Sequence, residues 1–253
     1  MDHFPTSWGR PRNDAYDAHN TYPLHQRPNH HKDAFADGVQ RTQQPIVTGT
    51  SVLAIKFKDG IMMAADTLAS YGSLARFKSI QRLQAVGSST VLGASGDLSD
   101  FQYLQGLLDE LTVEEFVAGD KHELGPAEIH EYLSRIMYAR RSKMNPLWNS
   151  IIVGGAKDGK SFLAYVDLLG TTYSASTLAT GYGAYIALPL MRKAVEGREN
   201  ELTEDEAKKI ITDCMKFQIA TVTDAGVSIS DTLTLETSWG FAEGIRGYGA
   251  QTQ

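Results

Sequence analysis

The chain carries few side chains of the kinds that do chemistry. Beyond residue 41 it has two histidines, His122 and His130, and a single cysteine, Cys214. A Ser–His–Asp relay would have to use one of those histidines, and a helix surface is the simpler place for both. One cysteine excludes a disulfide scaffold and any Cys-based zinc or iron–sulfur centre. There is no Walker loop, dinucleotide fingerprint or nucleophile elbow, and the glycines of "GYGAYIALP" are not spaced as a phosphate cradle. The other five histidines, His3, His19, His25, His30 and His31, would have to be metal ligands to matter. Only His30 and His31 are adjacent and the spacing fits no ligand pattern, so a polar tail is the expected reading. What remains is threonine hydroxyl chemistry.

The elements that must position such a site are legible in part. "SVLAIKFKDGIMMAAD" alternates, with Val52, Ala54, Lys56 and Lys58 against Leu53, Ile55 and Phe57, and Asp59-Gly60 predicts a hairpin turn before a second apolar strand. "STVLGASG" predicts another strand. In "LSDFQYLQGLLDELTVEEFVAG", Phe101, Leu104, Leu107, Leu108 and Leu111 fall at helical spacing, with Asp97 or Ser99 as cap. A second helix follows, with Pro126 in its first turn and Ile129, Leu133, Ile136 and Met137 on one face. Two strands are expected around Asp158-Gly159. A helix is then expected across Pro189, another with Thr203 and Glu206 at capping-box spacing, and final strands turning near Asp224 and Gly226. Strands and helices thus come in blocks. That order predicts an α+β domain of antiparallel sheets with helices on their outer faces and argues against doubly wound alternation.

Composition bounds the rest. The 253 residues hold 24 Lys+Arg and 30 Asp+Glu, a net charge of −6, which carries no basic nucleic-acid footprint. No run reaches the roughly 20 apolar residues of a membrane span, and the start lacks the apolar stretch of a secretory signal, so a soluble intracellular chain is expected. Residues 1–41 differ in texture: four of the eight prolines, no Ile, and five acidic against five basic residues. Such a segment cannot bury enough apolar area to offset its ordering entropy, and a disordered pro-segment is expected, followed by one domain over 42–253.

The residues around Thr50 then resemble a known family. "TGTSVLAIKFKDGIMMAADTLASYGSLARFKSIQRL" is similar to the opening of proteasome β subunits, in which a glycine precedes the threonine that begins the mature enzymatic chains. Gly49 and Thr50 match that pair, Asp66 matches the family's aspartate, and Arg82 stands where the family has a lysine. "LGASGDLSD" resembles the oxyanion segment, with Gly96 as the donor glycine, and "LATGYGA" resembles a glycine–serine–glycine stretch with Tyr182 in place of the serine. "TQQPIVTGTSV", "SYGSLARF" and "YARRSKMNPLWN" resemble the eukaryotic beta-7 branch (beta type-4 in vertebrate naming), in a fungal-like version, and the likeness covers Thr42 to Gln253. The resemblance implies the N-terminal-nucleophile hydrolase fold, a four-layer αββα sandwich.

It also frames the question of activity. In the family's enzymes the threonine hydroxyl attacks a peptide carbonyl, and the free α-amine, with a pKa of roughly 7.7–8.0, acts as base. An amide nitrogen cannot serve. Cleavage at Gly49–Thr50 would free that amine and make an active threonine endopeptidase with Asp66 and Arg82 in support. Cleavage between Arg41 and Thr42, where the composition shifts and which the branch resemblance implies, leaves Thr50 internal. Arg82 keeps a positive charge but cannot carry a proton, and Tyr182 replaces a small hydroxyl by a ring. The degenerate site Thr50, Asp66, Arg82, Gly96 and Tyr182 is therefore expected to be non-catalytic. A free-standing amidohydrolase of the same fold would instead be active alone.

The resemblance implies a structural role in the 20S core particle, whose neighbouring subunits carry out ATP- and ubiquitin-dependent protein degradation in cytoplasm and nucleus. Expected partners are the other α and β subunits in a twenty-eight-subunit stack of four seven-membered rings, and assembly factors, with no cofactor, metal, nucleic acid or membrane. Arg140, Arg141 and Lys143 form either a solvated helix end or a charged subunit contact. The glycine-rich tail, flexible from about 247, is expected to reach neighbours. After Lys216 the family carries a loop with a Tyr–Arg–Asp run that is absent here. Either the helix ends early near Thr212-Asp213, or residues are missing before a strand starting at Phe217.

Overall fold

In the computed structural model the described residues are 44–119, 123–195, 197, 198, 201–214 and 218–230. The expected pro-segment 1–41, Thr42, His122, the junction 215–217 and the C-terminal tail lie outside them. The strands are β1 (Val47–Gly49), β2 (Val52–Phe57), β3 (Gly60–Ala65), β4 (Ala69–Tyr71), β5 (Leu74–Phe77), β6 (Leu83–Val86), β7 (Thr90–Asp97), β8 (Asn149–Lys157), β9 (Lys160–Val166), β10 (Thr172–Ser174), β11 (Thr177–Ala179), β12 (Gln218–Thr223) and β13 (Gly226–Ile229). Helices α1 (Leu98–Ala118) and α2 (Pro126–Ser142) follow β7, and α3 (Gly183–Val195) and α4 (Glu204–Cys214) follow β11.

One sheet runs β10-β9-β8-β7-β1-β4-β5, with β6 also on β7; the other runs β11-β2-β3-β12-β13. Alternation within each strand explains the layering. On β2, Leu53, Ile55 and Phe57 pack outward against α3 and α4, while Val52 and Ala54 pack inward between the sheets. On β8, Ile152 faces the partner sheet while Ile151 and Val153 meet Phe101, Leu104 and Leu108 of α1 and Ile129, Leu133 and Met137 of α2. Each central strand is apolar on both faces because each sheet is covered on both faces. The layers are α1α2, sheet, sheet, α3α4, the expected αββα sandwich.

Most local expectations hold, with three refinements. Asp97 rather than Ser99 caps α1: its Oδ1 accepts from Ser99 N at 2.8 Å and Asp100 N at 3.1 Å. The first hairpin turns at Lys58-Asp59, and Gly60 already pairs with Phe57. Gly60 is needed for a different reason, since a Cβ there would lie 1.9 Å from the Val222 carbonyl oxygen of the neighbouring β12. Asp158 and Gly159 do form a two-residue turn, with φ of 54° and 72°, as a type I′ hairpin requires. The last helix does not end at Thr212-Asp213; it continues to Cys214.

Candidate active site

Thr50 sits between β1 and β2, at the point where the chain leaves one sheet for the other. The other residues of the expected site come from four separate stretches. Asp66 follows β3, Arg82 precedes β6, Gly96 is near the end of β7, and Tyr182 precedes α3. Thr48, Gly49, Thr50, Ser70, Gly96 and Tyr182 line an open groove of about 370 Å³. Tyr182 stands at its rim, 75 % exposed. Asp66 and Arg82 lie beneath, so all five residues predicted for the site converge.

Arg82 organises the floor. It is 2 % exposed, and all five of its guanidinium N–H groups are used. Nε donates to the Asp66 carbonyl at 3.0 Å, Nη1 to the Thr50 and Ala94 carbonyls at 2.9 Å each, and Nη2 to the Ser51 carbonyl at 2.9 Å and to Asp66 Oδ1. Burial pulls its pKa below the ordinary arginine value and the Asp66 charge opposes that shift. An arginine starts so high that it stays charged at neutral pH. The planar fork serves five acceptors at once, whereas an ammonium has only three donors.

Two glycines fit this floor and wall. A Cβ on Gly49 would lie 2.5 Å from Arg82 Cδ, so residue 49 and the arginine stem share one space. Gly96 has φ of +93°, and a Cβ there would lie 2.0 Å from the Trp148 carbonyl oxygen, which itself accepts from Asp97 N. The main chain ahead of Thr50 is also fixed. In β1, Thr48 pairs with Asp97 on β7 and Ser70 on β4, and Gly49 pairs with Gly96 and Ala69. Ile46 N donates to Asp97 Oδ2 at 2.7 Å.

Sequence patterns gave no sign of several supports. Ser51 Oγ accepts from Gly183 N at the start of α3, and Thr180 Oγ1 accepts from Val52 N, each at 2.8 Å. These partners are more than 120 residues apart and carry no local signature. His130 is remote from the groove: its ring packs on Phe162 and its Nε2 lies 3.2 Å from the Tyr165 carbonyl oxygen, joining α2 to β9. Among the described residues no cluster of three or more His, Cys, Asp or Glu side chains could hold a metal ion, and no helix is long and apolar enough to cross a membrane. In the basic cluster, Arg140 stacks over Tyr103 and donates from Nε to the Asn145 carbonyl, while Arg141 stacks over Tyr138.

The family model "Proteasome subunit" matches residues 46–230. Proteasome subunit beta type-4 of Xenopus laevis is 48 % identical over 225 residues, covering 84 % of this chain and 93 % of the frog protein. The probable proteasome subunit beta type-7 of Schizosaccharomyces pombe is 45 % identical over 97 % of this chain and 96 % of its own length.

The chain belongs to the proteasome β-subunit family. As a proteasome β-type chain of the 20S core it works within a multi-subunit particle. Proteasome subunit beta type-7 of Saccharomyces cerevisiae, 44 % identical over 99 % of both chains, extends the likeness to nearly the full length. In this proteasome subunit the guanidinium of Arg82 fills the floor beneath the groove at Thr50.

Proposed function

We propose that this chain is a non-catalytic, structural β subunit of the 20S core, trimmed after Arg41 so that its mature form begins at Thr42. The observation that carries this reading is strand β1. Residues 47–49 ahead of Thr50 are paired on both edges as part of the sheet, and while they stay attached the Thr50 nitrogen is a peptide amide whose lone pair is delocalised into the Gly49 carbonyl and cannot act as base. The second support is Arg82, whose five donors are all committed and which, being permanently protonated, cannot take up a proton. Asp66 Oδ1 is tied to that arginine, and Oδ2 accepts from Leu68 N at 3.3 Å.

In this role the subunit forms part of the chamber wall while neighbours hydrolyse peptide bonds. It assembles with the α and β subunits of four stacked seven-membered rings with the help of assembly factors, in cytoplasm and nucleus. Labelling purified core particles with an electrophile that reacts with N-terminal threonines tests the reading. The catalytic neighbours should be modified and this subunit should remain at its unlabelled mass. A covalent adduct on Thr50 would instead establish the active endopeptidase.

A further inference from the structure

The slot filled by β1 has a mechanical consequence that reaches beyond the absence of catalysis. In sheet order β4 and β5 follow β1, and among the described residues they pair with no other strand. The β4–β5 hairpin is therefore joined to β7 through β1, whose Val47, Thr48 and Gly49 pair with β4 and whose Thr48 and Gly49 pair with β7. On its own it is weak. Its strands have three and four residues, the register slips between Ala69 and Ser70, and every residue of β5 is exposed. A short two-stranded hairpin is at best marginally stable in water. Its base is tied, because Ile80 N donates to the Thr67 carbonyl at 2.9 Å, Thr67 Oγ1 donates to the Lys78 carbonyl at 3.0 Å, and Arg82 Nε holds the Asp66 carbonyl. Beyond that base, β1 is what lies along its inner edge.

β1 is itself fastened at both ends. Asp97 Oδ2 holds Ile46 N, and Arg82 Nη1 and Nη2 hold the carbonyls of Thr50 and Ser51. Three residues of strand would fray without such anchors, and both anchors are nearly buried, at 6 % and 2 % exposure. From this arrangement we infer that the segment Ile46–Gly49 is a strap that keeps the hairpin Ala69–Phe77 folded on the sheet. Asp97 and Arg82 are its two positioning residues. The inference rests on the reading that residues before Thr50 stay attached, and it gives them a structural task in place of a nucleophile. Tyr71, Leu74 and Phe77, exposed at 53 %, 56 % and 39 %, are the apolar side chains whose placement the strap fixes.

Limited trypsin digestion with mass detection tests this, since Arg76 lies on β5 and Lys78 just beyond it. The full chain is compared with a chain made to begin at Thr50, with Lys157 and Lys160 of the β8–β9 hairpin as internal reference sites. Cleavage after Arg76 or Lys78 should be at least about ten-fold faster in the shortened chain, with unchanged rates at the reference sites. Equal rates at Arg76 and Lys78 in the two chains would overturn the strap. If the reference sites also open, the shortened chain has misfolded, and Asp97→Asn in the full chain decides. Asparagine still caps a helix, but its amide removes the carboxylate acceptor for Ile46 N. Faster cutting confined to Arg76 and Lys78 supports the strap, and unchanged cutting overturns it. The mature N-terminus of the natural subunit is a separate measurement, so failure of the strap is distinguishable from failure of the non-catalytic reading.

Discussion

At Arg82 the fold and the proposed non-catalytic role meet in one side chain. Its donors satisfy carbonyls at Thr50, Ser51, Asp66 and Ala94 as well as the Asp66 carboxylate. Arg82→Ala would leave these acceptors without a donor around a carboxylate that is only 21 % exposed. Removing one partner of such a buried pair costs about 3–5 kcal/mol, to be read as a lowered denaturation midpoint of the full chain. Arg82→Lys keeps the charge but supplies three donors for five contacts, so a smaller loss is expected. Gly49→Ala forces a methyl into the space of Arg82 Cδ. Because the guanidinium beyond is pinned, the stem cannot swing away, and overpacking of about 1–3 kcal/mol follows in the same denaturation measurement. The sequence showed the charge at position 82 and its departure from the family lysine. It could not show that the arginine reaches three other segments, at Thr50–Ser51, Asp66 and Ala94, because those contacts arise only when the chain ends of β1, β3 and β6 are brought against β7.

At the scale of elements, what was legible depended on length and period. The helices α1 and α2 were readable from apolar residues three and four apart, which are the residues that meet the sheet. The strands β2, β3, β8 and β9 were readable from apolar runs around turn residues. The short strands β1, β4, β5, β10 and β11, of three or four residues each, have too few positions to display a period of two, and β1 is the one on which the functional reading rests. Gly60 misled for an instructive reason: its glycine answers to a neighbouring strand rather than to the turn beside it. Asp97→Ala should remove the α1 cap and the Ile46 anchor together, at a cost of about 1–2 kcal/mol for the cap alone, whereas Asp97→Asn should keep most of the cap. The start of α4 carries a pH prediction. The Thr203 backbone N–H and hydroxyl, and then Arg198, hold the Glu206 carboxyl below its ordinary value. A depressed acid stabilises the fold above its unfolded pKa, roughly 4.3, and that contribution fades as pH falls through the lower folded value. Amide exchange in the first turn of α4 should therefore accelerate on acidification below about pH 4, and Glu206→Gln should make it fast and pH-independent in that range after correction for intrinsic exchange.

For the whole molecule, the family was legible in long strings of sequence; the strand and helix blocks predicted antiparallel sheets with outer helices, and the four-layer αββα order came with the family resemblance. Relatives carry residues that this chain lacks: the alignment to the Saccharomyces cerevisiae protein spans 273 positions, against 253 residues here. The connection from α4 to β12 leaves only residues 215–217 between the two elements. Intact mass of the purified subunit would show whether the natural chain has the longer loop, and a mass matching the 253-residue sequence less its pro-segment would show that it does not. The same preparation addresses the account's central claim, that Thr50 lies inside the mature chain. The most direct measurement is the N-terminal sequence of this subunit from purified core particles. A start at Thr42, with Gly49 still joined to Thr50, is the predicted result. A start at Thr50 would give the threonine a free amine and contradict the account.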